Sequence, residues 1–221
     1  MTHFCLALFF ALIPIAAVAQ QSEAREAGGD AATAPMQTAA LTATAYTPIT
    51  DAGRVVWIVD GTIGKRSLGV GVLAGLWQSG FKIPSEWERT WGGFGKRYAQ
   101  REVDVAISSS IEAGLGALWG EDPRYIRSGR RGIWPRARYA LKTVMLAQRR
   151  DGRLAPAWGR YAGNTLNNLV ENAWLPPSQT TIRGTTIRCA TGFLGRAAGN
   201  LWDEFWPDAR RLLSRKPRAS R

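Results

Sequence analysis

The chain has 221 residues and a formal net charge of +12 at pH 7, with 29 lysines and arginines against 17 aspartates and glutamates. It contains one histidine, His3, and two cysteines, Cys5 and Cys189. If residues 1–19 are removed as a signal peptide, no histidine remains and Cys189 stands alone. This composition excludes a Ser-His-Asp catalytic set, a histidine-ligated metal and an internal disulfide, and no cofactor is expected.

The first segment of the chain has the features of a secretory signal peptide. An apolar run from Phe4 to Val18 overlaps Ala17-Val18-Ala19, the small-residue cleavage pattern that precedes Gln20. The alternative is an uncleaved membrane anchor, but the run is shorter than the ~20 apolar residues of a spanning helix. Residues 20–46 are rich in Ala, Thr and Gln and predict a disordered linker. We therefore expect an exported protein of the periplasm or the outer-membrane periphery.

Residues 47–208 predict an all-α domain of five to six helices packed through small residues, followed by a basic tail at 209–221. Thr50 is a candidate N-cap of the first helix, and Ser67 of a second helix that ends at Gly80. A long central helix is predicted over 94–119. Its expected inner face is an apolar stripe of Ala99, Val103, Ile107, Ile111, Leu115 and Leu118. Beside it lies a row of small residues, Ala106, Ser110, Gly114 and Ala117, and Gly114 and Gly116 predict close helix packing.

Three more helices are expected after an arginine-rich connection at 120–133. One begins at Trp134-Pro135 and continues through Gln148, one begins near Pro156, and one is capped by Ser178 and ends at Trp206-Pro207-Asp208. Their predicted inner faces include Leu141, Val144, Met145, Trp158, Leu166, Leu169, Ile187 and Leu194. Asparagines at 164, 167, 168 and 172 predict a polar face or hydrogen bonds between helices. The stretch Thr180–Ile187 is rich in β-branched residues, so a mixed fold is the alternative.

The excess positive charge lies in two clusters. Residues 124–138 hold six arginines and no acid, residues 209–221 hold six basic residues and no acid, and the rest of the chain is balanced. Such clusters attract anions, and an exported protein meets anionic lipid or lipopolysaccharide head groups rather than nucleic acid. The candidate anion-binding residues are Arg124, Arg127, Arg130, Arg131, Arg136, Arg138, Arg210, Arg211, Arg215 and Lys216.

A glycine-rich stretch precedes the central helix and forms a third candidate anion site. In Gly92-Gly93-Phe94-Gly95-Lys96-Arg97, a helix N-terminus and the cations Lys96 and Arg97 favour a phosphate. The spacing is not that of a P-loop. The alternative is a flexible helix entry with a solvated Lys-Arg pair.

Three carboxylates are the candidates for catalysis. Glu112 lies beside the small-residue row and, with Asp104 or Asp122 as a second acid, suits the paired-carboxylate chemistry of a glycosidase. The alternative is that each carboxylate pairs with an arginine in a structural role. Ten tryptophans leave a similar choice between packing, a glycan site and a membrane interface.

Three motifs resemble a family of secreted bacterial proteins to which no activity is assigned. They are F-G-K-R-Y at 94–98, G-E-D-P-R-Y-I-R at 120–127 and E-F-W-P-D at 204–208. The resemblance covers about 47–213 and implies secretion but no reaction. Together, these observations predict a non-enzymatic cell-envelope protein with anion-binding patches, either peripheral to a membrane or self-associating as a homo-oligomer. The alternative is a carboxylate-dependent hydrolase that acts on envelope glycan.

Overall fold

The structure, a computed structural model, describes residues 46–214. Six long helices and one short helix run through this range: α1 (Asp51–Ile63), α2 (Lys65–Phe81), α3 (Trp91–Trp119), α4 (Ile133–Met145), α5 (Trp158–Glu171), α6 (Pro177–Thr180) and α7 (Ile182–Ser214). The all-α prediction is confirmed. The predicted signal peptide, nearly all of the linker, and Arg215 and Lys216 lie outside the described residues.

A small antiparallel sheet, which was not predicted from the sequence, accompanies the helices. Its strands are β1 (Glu121–Asp122), β2 (Leu146–Arg149) and β3 (Leu154–Pro156), in the order β1-β2-β3. The helix predicted to continue through Gln148 therefore ends at Met145. The Asp151-Gly152 turn joins β2 to β3, and Gly152 adopts a φ of 78° that favours glycine. The pairing of β2 with β1 and β3 therefore outweighs the local helical pattern.

Several helix boundaries also differ from those predicted. Ser67, the predicted N-cap of the second helix, lies inside α2, and the single helix predicted from Ser178 is divided into α6 and α7. Thr90 caps α3 through a 3.2 Å hydrogen bond from the Gly93 N–H to its side chain, so this helix begins three residues earlier than Phe94. The last helix continues past Pro207 to Ser214. Proline removes one helical hydrogen bond, but the neighbouring Asp208 carboxylate forms a 2.5 Å ion pair with Arg136 on α4, which holds this turn in place.

Glycines allow close contact on both sides of α3. On one side lies α5, antiparallel, and a Cβ added to Gly163 would lie 2.7 Å from the Ser108 carbonyl oxygen. On the other side lie α1 and α2, where a Cβ on Gly75 would lie 2.9 Å from Phe94. The predicted packing through small residues is therefore present, although Gly114 itself has open space around it.

The interior of the domain is polar, whereas the predicted core was apolar. The largest fully buried side chains are Arg97, Glu204, Asn167 and Asp122, and the buried apolar residues are limited to Ala113, Ala140, Val144, Ala147 and Ala157 among the residues described. The predicted apolar stripe of α3 is wrong as a buried face, since Val103 is 42% and Leu118 79% exposed. Large apolar side chains of the other helices are exposed as well, including Leu141, Met145, Trp158, Leu166, Leu169, Ile187 and Leu194.

This distribution reverses that of an ordinary globular domain, in which large apolar side chains fill the interior. Extensive exposed apolar surface usually marks contact with a membrane or with another protein. Between residues 46 and 214, no helix has both the length and the apolar character needed to cross a membrane.

Candidate functional site

The start of α4 and the end of α7 lie side by side. These helices are antiparallel: Arg136 on α4 pairs with Asp208 on α7, and the side-chain amide of Asn200 donates to the Ala140 carbonyl oxygen at 3.1 Å. We call this region the basic end. It presents four exposed cations whose side chains make no hydrogen bond or ion pair with other described residues, Arg131, Arg138, Arg210 and Arg211, and four exposed apolar side chains, Ile133, Trp134, Leu212 and Leu213.

Within the cluster at 124–138, four of the six arginines have partners inside the protein. The guanidinium of Arg124 binds the Asp122 carboxylate at 2.7 Å, and Arg136 binds both Glu204 and Asp208. Arg127 donates to the Glu204 carbonyl oxygen, and Arg130 lies over the Tyr139 ring. The remaining two, Arg131 and Arg138, make no hydrogen bond or ion pair among the described residues. The surface charge available to a partner is therefore smaller than the sequence count suggests.

Glu204 holds the basic end together. Its carboxylate accepts hydrogen bonds from the Tyr125 hydroxyl at 2.7 Å, the Ser128 hydroxyl at 2.6 Å and the Arg136 Nε at 2.8 Å, with a further bond from the Ser128 N–H. Burial acts to raise the pKa of Glu204, but the hydrogen bonds from Ser128, Arg136 and Tyr125 outweigh it and lower the pKa to about 2. Burial, and then the hydrogen bond to Glu204, raise the pKa of Tyr125. This carboxylate is ionised and fully occupied, so its role is structural.

The glycine-rich entry to α3 is not a phosphate cradle. Arg97 is fully buried, and its guanidinium donates to the backbone carbonyl oxygens of Ile83, Pro84, Trp87 and Glu88 at 2.6 to 3.3 Å. It thereby secures the loop between α2 and α3 and has no donor directed to an external anion. Lys96, the preceding residue, is exposed. The prediction that Arg97 binds an anion is therefore wrong, because this buried guanidinium already donates to four backbone carbonyl oxygens.

The geometry around Glu112 does not support a catalytic role. One carboxylate oxygen accepts from Arg160 at 2.9 Å and from Arg196 at 2.7 Å, so two arginines hold this carboxylate in a fixed orientation. Burial, together with Arg160, lowers the pKa of Arg196 to about 10. Asp122 is likewise bound, by Arg124 and by the Tyr46 hydroxyl at 3.0 Å. A glycosidase needs two carboxyl groups that face a substrate across a cleft, and both of these carboxylates are instead bound by side chains of the protein.

Asp104 belongs to a buried polar cluster between α3, α5 and α7. Its carboxylate accepts a hydrogen bond from the Asn167 side chain, and Glu171 one turn away accepts from Gln100 at 2.7 Å. Burial raises the pKa of Asp104. Burial and then the neighbouring Asp104 raise the pKa of Glu171 to about 7. Arg188 lies 3.8 Å from Glu171, too far to offset both effects. The predicted interhelical role of the asparagines is confirmed here.

Several polar residues inside the domain were not singled out from the sequence, among them the buried Arg54, Arg160, Glu171 and Asn200 and the half-buried Arg188 and Arg196. The sequence of α7 contains a pattern that could have identified some of these residues. Arg188, Gly192, Arg196, Asn200, Glu204 and Asp208 recur every four residues, so each lies one turn from the next and together they form a polar face that winds around the helix by about 40° per step. That face packs against α4 and α5, as the bonds of Arg188 and Asn200 show. A polar stripe is ordinarily taken as the solvent side, which is why the pattern misleads.

Comparison with family models, with curated protein sequences and with solved structures finds no match for this chain. The functional conclusion therefore depends on the geometry of the described residues.

Proposed function

We propose that this protein is a non-enzymatic component of the bacterial cell envelope that lies on an anionic membrane surface. One observation carries the proposal: the basic end brings unpaired surface cations and exposed apolar side chains together. Arg131 and Arg138 flank Ile133 and Trp134 in sequence, and Arg210 and Arg211 immediately precede Leu212 and Leu213. Lipid phosphates suit the first group and the membrane interface suits the second.

The expected strength of this association follows from the number of free cations. Each lysine or arginine near an anionic membrane contributes about 1 kcal/mol, so four contribute roughly 4 kcal/mol, or about a thousandfold in affinity. Exposed tryptophan and leucine side chains add apolar burial, with Trp134 79% exposed in the free protein. Salt should weaken the association, because the charges are on the surface.

The contacts of its candidate residues argue against the hydrolase alternative. Its leading candidate, Glu112, is held by two arginines, and Asp122 is held by Arg124 and Tyr46. The envelope location still depends on the predicted signal peptide, and fractionation of the native cells would check it independently.

Vesicle flotation of the full chain tests the proposal. Vesicles of phosphatidylcholine are compared with vesicles that also contain phosphatidylglycerol. The variant Arg131→Gln, Arg138→Gln, Arg210→Gln, Arg211→Gln should lose at least tenfold in binding to the anionic vesicles. A matched control removes four exposed cations elsewhere, through Lys65→Gln, Lys82→Gln, Arg89→Gln and Arg183→Gln, and should lose much less. Equal losses in both variants, or equal binding to neutral vesicles, would refute the proposal.

Self-association is a second candidate property, favoured by a different surface. The outer face of α1 and α2 exposes Val55, Val59, Ile63, Val72 and Leu76, and the run from Ser67 to Phe81 carries no charge. The uncharged run from Ser67 to Phe81 has no cation to attract lipid head groups, whereas a second copy of the chain could cover its exposed apolar side chains. Sedimentation velocity over a range of protein concentrations, without lipid, distinguishes a monomer from an oligomer.

A further inference from the structure

A cleft of about 400 Å³ opens between the end of α3 and the start of α5, beside β2. Its lining consists of Trp119, Trp158, Tyr161, Ala162 and Arg149. The Trp158 and Tyr161 rings meet edge to face with centroids 5.6 Å apart, so they form a preformed aromatic wall. The volume lies within the range of small-molecule binding sites.

Arg149 is the unusual member of this lining. It is half-buried and its Nε atom is fully buried, yet its guanidinium makes no hydrogen bond or ion pair with any residue between 46 and 214. Every other buried or half-buried arginine in that range has a partner, as Arg160, Arg196 and Arg136 illustrate. Glu121 lies opposite Arg149 in the register of β1 and β2, but its carboxylate accepts instead from the N–H groups of Trp158 and Gly159. A partly desolvated cation without a partner is costly, and a bound anion would remove this cost.

The remaining chemistry of the cleft restricts the ligand. Its walls are aromatic and apolar, and the Tyr161 hydroxyl already donates to the Met145 carbonyl oxygen. A free sugar would need several hydrogen-bonding partners that this lining does not offer, whereas an alkyl chain needs apolar contact alone. Trp119 and Trp158 are 43% and 53% exposed and can cover such a chain.

We propose that this cleft binds a single anionic amphiphile, with its phosphate or carboxylate on the Arg149 guanidinium and its alkyl chain against Trp119 and Trp158. The site is separate from the basic end, because α4 begins at Ile133 near the basic end and leads at Met145 into β2. Its 13 residues span about 20 Å. The inference goes beyond membrane association, since it concerns one molecule held in a cleft rather than a charged surface.

Isothermal titration calorimetry of the full chain with decyl phosphate, below its micelle concentration, tests this site. Wild type should bind decyl phosphate at least tenfold more tightly than decanol, which lacks the anion, or inorganic phosphate, which lacks the chain. Arg149→Gln should weaken binding at least tenfold. Arg153→Gln makes the same charge change on the same hairpin at a side chain that is 88% exposed, and should change binding less than twofold. Trp158→Ala should weaken binding of decyl phosphate but not that of inorganic phosphate.

Several outcomes would overturn the proposal. They are equal effects of Arg149→Gln and Arg153→Gln, decanol binding as tightly as decyl phosphate, or glucose 1-phosphate binding more tightly than either. Far-UV circular dichroism confirms that each variant is folded, and Arg149→Lys, which keeps the charge, should retain most of the binding if Arg149→Gln does not fold. Arg149→Gln should leave vesicle flotation unchanged, so a failure here is distinguishable from a failure of the proposed membrane association.

Discussion

Replacing Glu204 with glutamine tests whether the polar interior holds the domain together. Glu204 is 1% exposed and receives hydrogen bonds from Tyr125, Ser128 and Arg136. Glutamine has nearly the same shape but no charge, and its amide group would face the hydroxyl and guanidinium donors of the site. Arg136 would keep Asp208 as its remaining carboxylate partner, on the solvent side.

The magnitude follows from the pKa of Glu204. Its value falls from an ordinary 4.5 to about 2 in the folded protein. A difference of about 2.5 pH units, at about 1.4 kcal/mol each, corresponds to roughly 3 kcal/mol of stability at neutral pH. Because the folded-state pKa is the lower one, the folded protein binds fewer protons, and this contribution is complete above about pH 5. It is lost as the pH falls from about 4.5 towards 2.

Urea unfolding, followed by far-UV circular dichroism, measures this contribution. At pH 7, Glu204→Gln should lower the free energy of unfolding by about 2–4 kcal/mol. The difference between wild type and the variant should shrink as the pH falls towards about 3. Asp208→Asn is the control, because the Asp208 side chain also binds Arg136 but is 43% exposed, and it should lower the free energy of unfolding much less than Glu204→Gln does. If Glu204→Gln matches wild type at pH 7, or if their difference does not depend on pH, the reasoning is wrong.

Two further predictions concern the packing of α5 on α3. Glu171 has a raised pKa of about 7, so the folded protein binds more protons than the unfolded chain and stability should fall as the pH rises from about 4.5 to 7. Glu171→Gln removes this loss and should raise the Tm at pH 8 more than at pH 5, as differential scanning fluorimetry would show; the same change at both pH values would contradict it. Gly163→Ala should destabilise the domain by about 1–3 kcal/mol in urea, because its methyl group meets the Ser108 carbonyl oxygen. The control Gly195→Ala, on α7 with open space around it, should stabilise by up to about 1 kcal/mol, and equal effects at the two glycines would count against close backbone packing.

The reversed interior has a consequence for how such a domain is stabilised. Arginine side chains supply several donors each, and here they bind carbonyl oxygens that would otherwise be unsatisfied, as Arg97 does in the loop before α3 and Arg54 does at Ala113 and Glu121. Buried networks of this kind contribute specificity as well as energy, provided that every member is satisfied. Removing one member is costly because its partners remain buried.

Local patterns in the sequence were sufficient to locate the helices. Thr50 caps α1 as predicted, with a 3.1 Å bond from the Gly53 N–H to its side chain, and glycines and prolines mark most breaks between helices. These features act through backbone geometry and hydrogen bonds within a few residues, which is why they can be read without the fold. The β2–β3 hairpin was not predicted because its strands are short. Short strands depend on pairing with other strands, and β1, a partner of β2, lies far away in the sequence.

The amino-acid sequence alone determined the helical character of the domain and the clustering of its positive charge. Which side chains face inward was decided by the tertiary structure, because helical periodicity identifies a face but not what covers it. For α7 the buried stripe is the polar one, since Arg188, Arg196 and Asn200 find carboxylates and carbonyl oxygens on other helices. The distinction between Arg136, which is paired, and Arg131, which is free, likewise depends on a helix about 70 residues further along the chain. Contacts across such separations form only in the folded molecule, and they determine which charges remain available to a partner.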